Sequence, residues 1–143
     1  AKDGTGQYTT IQAAVNAIPN NSTTQKVIFV KNGTYTEKVE IPSNKTHLVI
    51  IGQDVNNTIV AYNDYSGSGK IYNGIITSAN GTAIGTSTSH TMYVNADDFM
   101  MMNITVKNTA GDVGQAVALN CFGDRQIFYH CKIIGNQDTY LTW

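Results

Sequence analysis

Two glutamines and an aspartate bracket one segment of this chain. Gln115 opens the run Gln115-Ala116-Val117-Ala118-Leu119, and Gln137 and Asp138 lie in Gly135-Asn136-Gln137-Asp138-Thr139. Between them are a loop, Gly123-Asp124-Arg125, and a strand-like run from Gln126 to Ile134. An uncharged Gln amide donates hydrogens to a developing oxyanion, and a carboxyl group carries protons to and from a reacting oxygen. That is the minimum equipment for acyl transfer, short of a nucleophile. The intervening segment is long enough for one full turn of a coiled β-chain. Structural readings compete on residue type alone: Asp138 can set a turn, and the two glutamines can form an amide ladder along a corner.

Other chemistries find less support. His47, His90 and His130 are widely separated and lack the paired spacing of a zinc site. No Gly-x-Ser-x-Gly elbow points to a serine esterase. The Gly-rich start is not a phosphate loop, because no Lys-Ser/Thr follows Gly6. Cys121 and Cys131 are the only cysteines and form no Cys-x-x-Cys. They can pair with each other, serve as small buried hydrophobes, or pair elsewhere. Asp97 and Asp98 are adjacent, so at least one is expected to face a turn rather than a catalytic centre. Charged residues make up 13% and the net charge is −1, without a Lys/Arg cluster, which argues against a nucleic-acid partner. No apolar run approaches the length of a membrane span. Asn-x-Ser/Thr sequons start at Asn20, Asn21, Asn32, Asn44, Asn56, Asn80 and Asn103. They favour a secreted, glycosylated chain, although Asn and Thr are also common at strand–turn junctions. With no signal peptide in it, the sequence reads as a mature or trimmed product.

The elements that would position these groups read as one domain over residues 1–143, rich in short strands. Thr9 and Gln12 have the spacing of a capping box, and Ile11, Val15 and Ile18 share a helical face before Pro19. This predicts a helix of nine or ten residues, covering the open end of a first coil. Val27–Val30 reads as a buried parallel strand. Gly33 turns the chain, and Tyr35, Glu37, Val39 and Ile41 follow in near-alternation. Strands are expected at His47–Gly52 and Thr58–Val60, with no tight hairpin between them. Tyr62–Ser89 reads as an excursion, interrupted by strand-like Ile75-Ile76. Its Tyr62, Tyr65 and Tyr72 suit stacking on sugars or plain packing. Strands resume at Thr91–Val94, Phe99–Val106, Val117–Leu119 and Ile127–Ile134. Apolar strand ends followed by polar corners recur along the chain, which suits a β-solenoid. The same pattern leaves a β-sandwich open.

The Gln-Ala-Val-Ala-Leu run, Gln137-Asp138-Thr139, Gly33–Glu37 and the opening Asp3–Ala14 occur in an order that resembles the pectin methylesterases (pectinesterases). The resemblance covers essentially the whole chain. It implies an all-β, right-handed parallel β-helix capped by the short N-terminal helix. It also implies a cofactor-free aspartyl esterase that removes methyl esters from homogalacturonan in cell walls, releasing methanol. Gln115 and Gln137 would be the oxyanion donors and Asp138 the general acid and base. Thr86, in Gly85–Ser89, would bind substrate together with Gln115, while Tyr35 and Glu37 would be scaffold residues. A secreted monomer is implied, with a proteinaceous pectinesterase inhibitor as a partner. The family's nucleophilic Asp and substrate-side Arg belong to two later motifs absent from these residues, so the chain is expected to be the N-terminal part of a longer catalytic domain. Two other classes remain: a non-catalytic polysaccharide-binding β-helix or inactive truncated homologue, and a lyase. A lyase would want clustered basic and calcium-binding acidic residues.

Overall fold

The computed structural model describes residues 1–143 as four successive coils, each giving one strand to each of three parallel sheets. The first sheet stacks β1 (Lys26–Val30), β4 (Leu48–Gly52), β7 (Met100–Met102) and β10 (Ile127–Tyr129). The second stacks β2 (Gly33–Thr36), β5 (Thr58–Tyr62), β8 (Thr105–Asn108) and β11 (Lys132–Ile134). The third stacks β3 (Val39–Ile41), β6 (Met92–Val94), β9 (Leu119–Cys121) and β12 (Tyr140–Thr142). The β-sandwich alternative falls, because every strand pairing is parallel.

Apolar residues at matched rungs fill the interior. Ile28, Ile50, Met101 and Phe128 stand in register along the first sheet. Tyr35, Val60, Val106 and Ile133 do so along the second, and Val39, Met92 and Leu119 along the third. Ile50, Met101, Val106 and Val39 are fully buried. Burial of a side chain of that size stabilises by roughly 1.5–3 kcal/mol, so a column repeated over four coils holds the sheets together. Cys121 lies in the third sheet's column and Cys131 packs against the core, both as free thiols. Burial pushes the Cys121 thiol up to about 11.

Corners are where the sequence reading needs correction. Phe99–Val106 and Ile127–Ile134 are each two strands rather than one. Asn103 (φ 56°) and His130 (φ 51°) adopt the left-handed conformation and turn the chain from the first sheet to the second. Their side chains meet, His130 Nδ1 lying 2.8 Å from Asn103 Oδ1. His47, Asp98 and Arg125 turn the chain into the first sheet in the same way, with φ of 57°, 53° and 51°. The Arg125 guanidinium grips the Asp98 carboxylate at 2.6 and 3.0 Å. One left-handed residue is enough to redirect a strand, and Asn and Asp tolerate that region best among non-glycines. Tyr35–Ile41 likewise breaks at Glu37-Lys38 into β2 and β3. Gly52 is required by its neighbour: a Cβ there would lie 2.2 Å from the Asn103 carbonyl oxygen.

Helix α1 (Ile11–Ala17) is seven residues long, shorter than expected, and its N-cap is Thr10 rather than Thr9. Thr10 Oγ1 accepts from the Ala13 amide. Gln12 does not close a capping box. Glu37 does that work from the neighbouring corner, its carboxylate accepting from the Ile11 and Gln12 amides at 2.9 and 3.0 Å. Gln12 instead pairs its side-chain amide with the backbone of Glu40, accepting at 2.7 Å and donating at 3.1 Å. Ile11, Ala14 and Val15 thereby sit buried on the core. The excursion between β5 and β6 contains a bridge between Ile71 and Ala83 and a 3₁₀ turn at Thr77–Ala79. Ile75-Ile76 is not a strand; its amides are spent on the Glu40 carboxylate and the Tyr72 hydroxyl.

Candidate active site

The connections from second to third sheet lie above one another at one edge of the coil. Gln115 lies between β8 and β9, and Gln137 and Asp138 lie between β11 and β12. The stack joins them directly: the Ala116 amide donates to the Gln137 carbonyl at 3.0 Å, and the Ala118 amide to Thr139 at 3.0 Å. Twenty-odd residues apart in sequence, the two glutamines become neighbours because one coil separates them. Asp138 adopts φ 55°, a left-handed residue at the very point where the chain turns toward β12. The turn-setting role weighed for Asp138 is therefore real, and it accompanies rather than replaces an exposed carboxylate. Gln115, Gln137 and Asp138 are all exposed.

Thr86 comes to the same corner from the excursion one coil earlier. Its hydroxyl donates to Gln115 Oε1 at 2.5 Å. A Gln whose carbonyl is engaged has its amide orientation fixed, with the two N–H donors turned to the other side. Nothing within the protein engages Gln115 Nε2 or the side chains of Gln137 and Asp138. The corner thus presents unspent amide donors and a carboxylate on one surface. Such a set can stabilise negative charge on an oxygen and transfer a proton.

The support beneath Thr86 consists of residues that residue type alone did not single out. Ser89, fully buried, donates from Oγ to the Thr86 carbonyl at 2.7 Å and accepts the Val117 amide at 3.1 Å. Asn108 at the end of β8 offers its amide hydrogens to the carbonyls of Asp64, Ser89 and Val117, at 2.9, 3.2 and 3.0 Å. Lys38 reaches the Thr88 carbonyl at 2.6 Å and the Asp64 carboxylate at 3.1 Å. Burial lowers the Lys38 ammonium's affinity for its proton, against the pull of Asp64 and Glu40. The available signal was the run Thr88-Ser89-His90-Thr91, four polar residues in a row that are all buried. Tyr72, too, is buried and bonded to Glu40 at 2.6 Å, so it packs rather than facing a sugar. No three His, Cys, Asp or Glu side chains are placed to hold a metal ion.

A family model described as Pectinesterase matches residues 1–143. The chain belongs to the pectinesterase family. Pectinesterase 5 of Arabidopsis thaliana is 39% identical over 97% of the chain, and the chain covers 22% of that protein. A probable pectinesterase/pectinesterase inhibitor 58 of the same plant is also 39% identical, with the same two coverages. Among solved structures, the pectin methylesterase from carrot is 32% identical with a TM-score of 0.85, covering 98% of this chain and 40% of that one. The chain therefore spans about a fifth of these curated relatives and two fifths of the carrot enzyme. Four stacked coils of the pectinesterase β-helix are what the 143 residues form.

Proposed function

We propose that these residues supply part of the catalytic cleft of a pectin methylesterase, an ester hydrolase that releases methanol from methyl-esterified homogalacturonan. One observation carries the reading: the Ala116–Gln137 backbone bond sets Gln115 beside Gln137-Asp138, with all three side chains exposed and uncommitted to other donors or carboxylates except where Thr86 orients Gln115. In the proposed reaction an enzyme carboxylate attacks the ester carbonyl, and the carbonyl oxygen gains charge. The amides of Gln115 and Gln137 donate to that oxyanion. Asp138 gives its proton to the departing methanol, then takes one from the water that hydrolyses the acyl-enzyme, leaving a free galacturonate carboxylate. Thr86 acts on substrate through Gln115. The attacking carboxylate is not among the residues of this corner, and the chain spans about a fifth of the length of the curated relatives it matches. The relatives' names support a pectin ester as substrate, and the one that pairs pectinesterase with pectinesterase inhibitor supports a proteinaceous inhibitor as partner. The sequons fit secretion, and no helix is long and apolar enough to cross a membrane.

The test is methanol release from highly esterified pectin by the polypeptide as its gene encodes it. Release that falls with Gln115→Ala and with Gln137→Ala, each by roughly 10²–10³-fold, is the expected result. A folded protein that binds pectin and releases no methanol would replace the reading with that of a binding module.

A further inference from the structure

Under the excursion the outer face of the third sheet carries Glu40, Tyr93 and Asn120 in register on β3, β6 and β9. All three are buried. His90, fully buried, lies over them, its ring 5.3 Å from that of Tyr93 and edge-on to Tyr72 at 5.9 Å. Both its nitrogens face oxygen. Nε2 lies 2.8 Å from the Glu40 carboxylate and Nδ1 2.7 Å from the Ser87 carbonyl. A carbonyl oxygen only accepts and a carboxylate only accepts, so a ring carrying hydrogen on both nitrogens satisfies both contacts. Glu40 is itself held by the Tyr72 hydroxyl at 2.6 Å and the Ile75 amide at 2.9 Å. Asn120 adds a second donor to the Ser87 carbonyl at 3.0 Å.

Ser87 follows Thr86, whose hydroxyl orients Gln115. We infer that the buried Glu40–His90 pair is a positioning device for the cleft: by gripping the Ser87 carbonyl it fixes Thr86, and through Thr86 the direction in which the Gln115 amide donates. The inference rests on the esterase reading for its catalytic consequence, but not for its structural one. Its logic is the spacing of commitments. A loop hydroxyl can fix an amide only if the loop cannot shift by a few tenths of an ångström, and this one is held by a charge-assisted bond in a buried site. His90 does not touch the exposed corner, so its effect must pass through the Thr86 turn.

Two readouts on the encoded polypeptide separate the claims. The side-chain amide signals of Gln115, assigned by their loss in Gln115→Ala, report its orientation by NMR whether or not methanol is released. Thr86→Val is expected to move them toward the position of a free amide, and His90→Gln to move them the same way. In the methanol assay, His90→Gln is expected to lower kcat by about tenfold with KM changed by less than about twofold. Added to Thr86→Val it should lower kcat by no more than about a further twofold, because both act on the same bond. Should His90→Gln fail to fold, Glu40→Gln, which removes the carboxylate from the pair at nearly unchanged shape, carries the same measurements. An unchanged Gln115 signal in the folded variant, or effects of His90 and Thr86 that multiply, would overturn the inference. Absence of methanol release with the expected shifts would overturn only the esterase reading.

Discussion

At Asp138 a backbone demand coincides with the acid–base role proposed for its carboxyl group. The left-handed φ of 55° restricts the position to residues that tolerate it, and Asn is one. Asp138→Asn should therefore leave the melting temperature within about a degree while lowering methanol release by roughly 10²–10⁴-fold, the usual weight of a general acid–base group. Differential scanning calorimetry beside the methanol assay checks both halves. The stacking of coils brings Gln115, Gln137 and Asp138 to one corner, and the residue types and order at these positions were legible in the sequence. Their support was not. Ser89, His90 and Asn108 matter through what they bond, and nothing in a lone Ser or His says that it will be buried with its polar atoms on a backbone carbonyl of the Thr86-Ser87 turn.

The elements show where pattern fails and why. Alternation and apolar runs located the strands, since interior columns must be apolar at matched rungs. The breaks between strands were hidden, because a single left-handed Asn103 or His130 makes a corner with no Gly or Pro to announce it. Gly52 is the converse case, a glycine set by the Asn103 corner stacked on it rather than by its own turn. Gly52→Ala should destabilise by a few kcal/mol, on the order of an overpacked core, because the obstacle is backbone and cannot rotate away. Helix α1 depends on a partner far along the chain. Glu37→Ala strips two helix-start amides of their acceptor and should cost about 1–3 kcal/mol in urea unfolding, with Thr10→Ala costing about 1 kcal/mol.

Taken whole, the molecule is a stack in which successive coils bring distant residues to one corner, and its stability carries a record of the buried Glu40–His90 pair. Burial works to raise the Glu40 carboxyl, but the His90 and Tyr72 hydrogen bonds, the His90 charge and the Ile75 amide outweigh it and bring it from 4.5 to about 2. A carboxyl lowered on folding adds stability that is complete above its unfolded value and is lost as pH falls through its folded one. The Glu40 contribution, on the order of 3 kcal/mol, should fade between about pH 4.5 and 2. Urea unfolding across that range should show the loss in the native chain and a flatter profile in Glu40→Gln. The same stacking places Gln115 against Gln137-Asp138, and the central claim is that this corner cleaves methyl esters. The most direct measurement is methanol and free carboxylate released from highly esterified pectin by the encoded polypeptide, with and without Asp138→Asn. Equal yields of the two products, lost in the variant while its fold persists, are the predicted result. Release that Asp138→Asn leaves untouched would contradict the account, because the proton would then be moved by some other group.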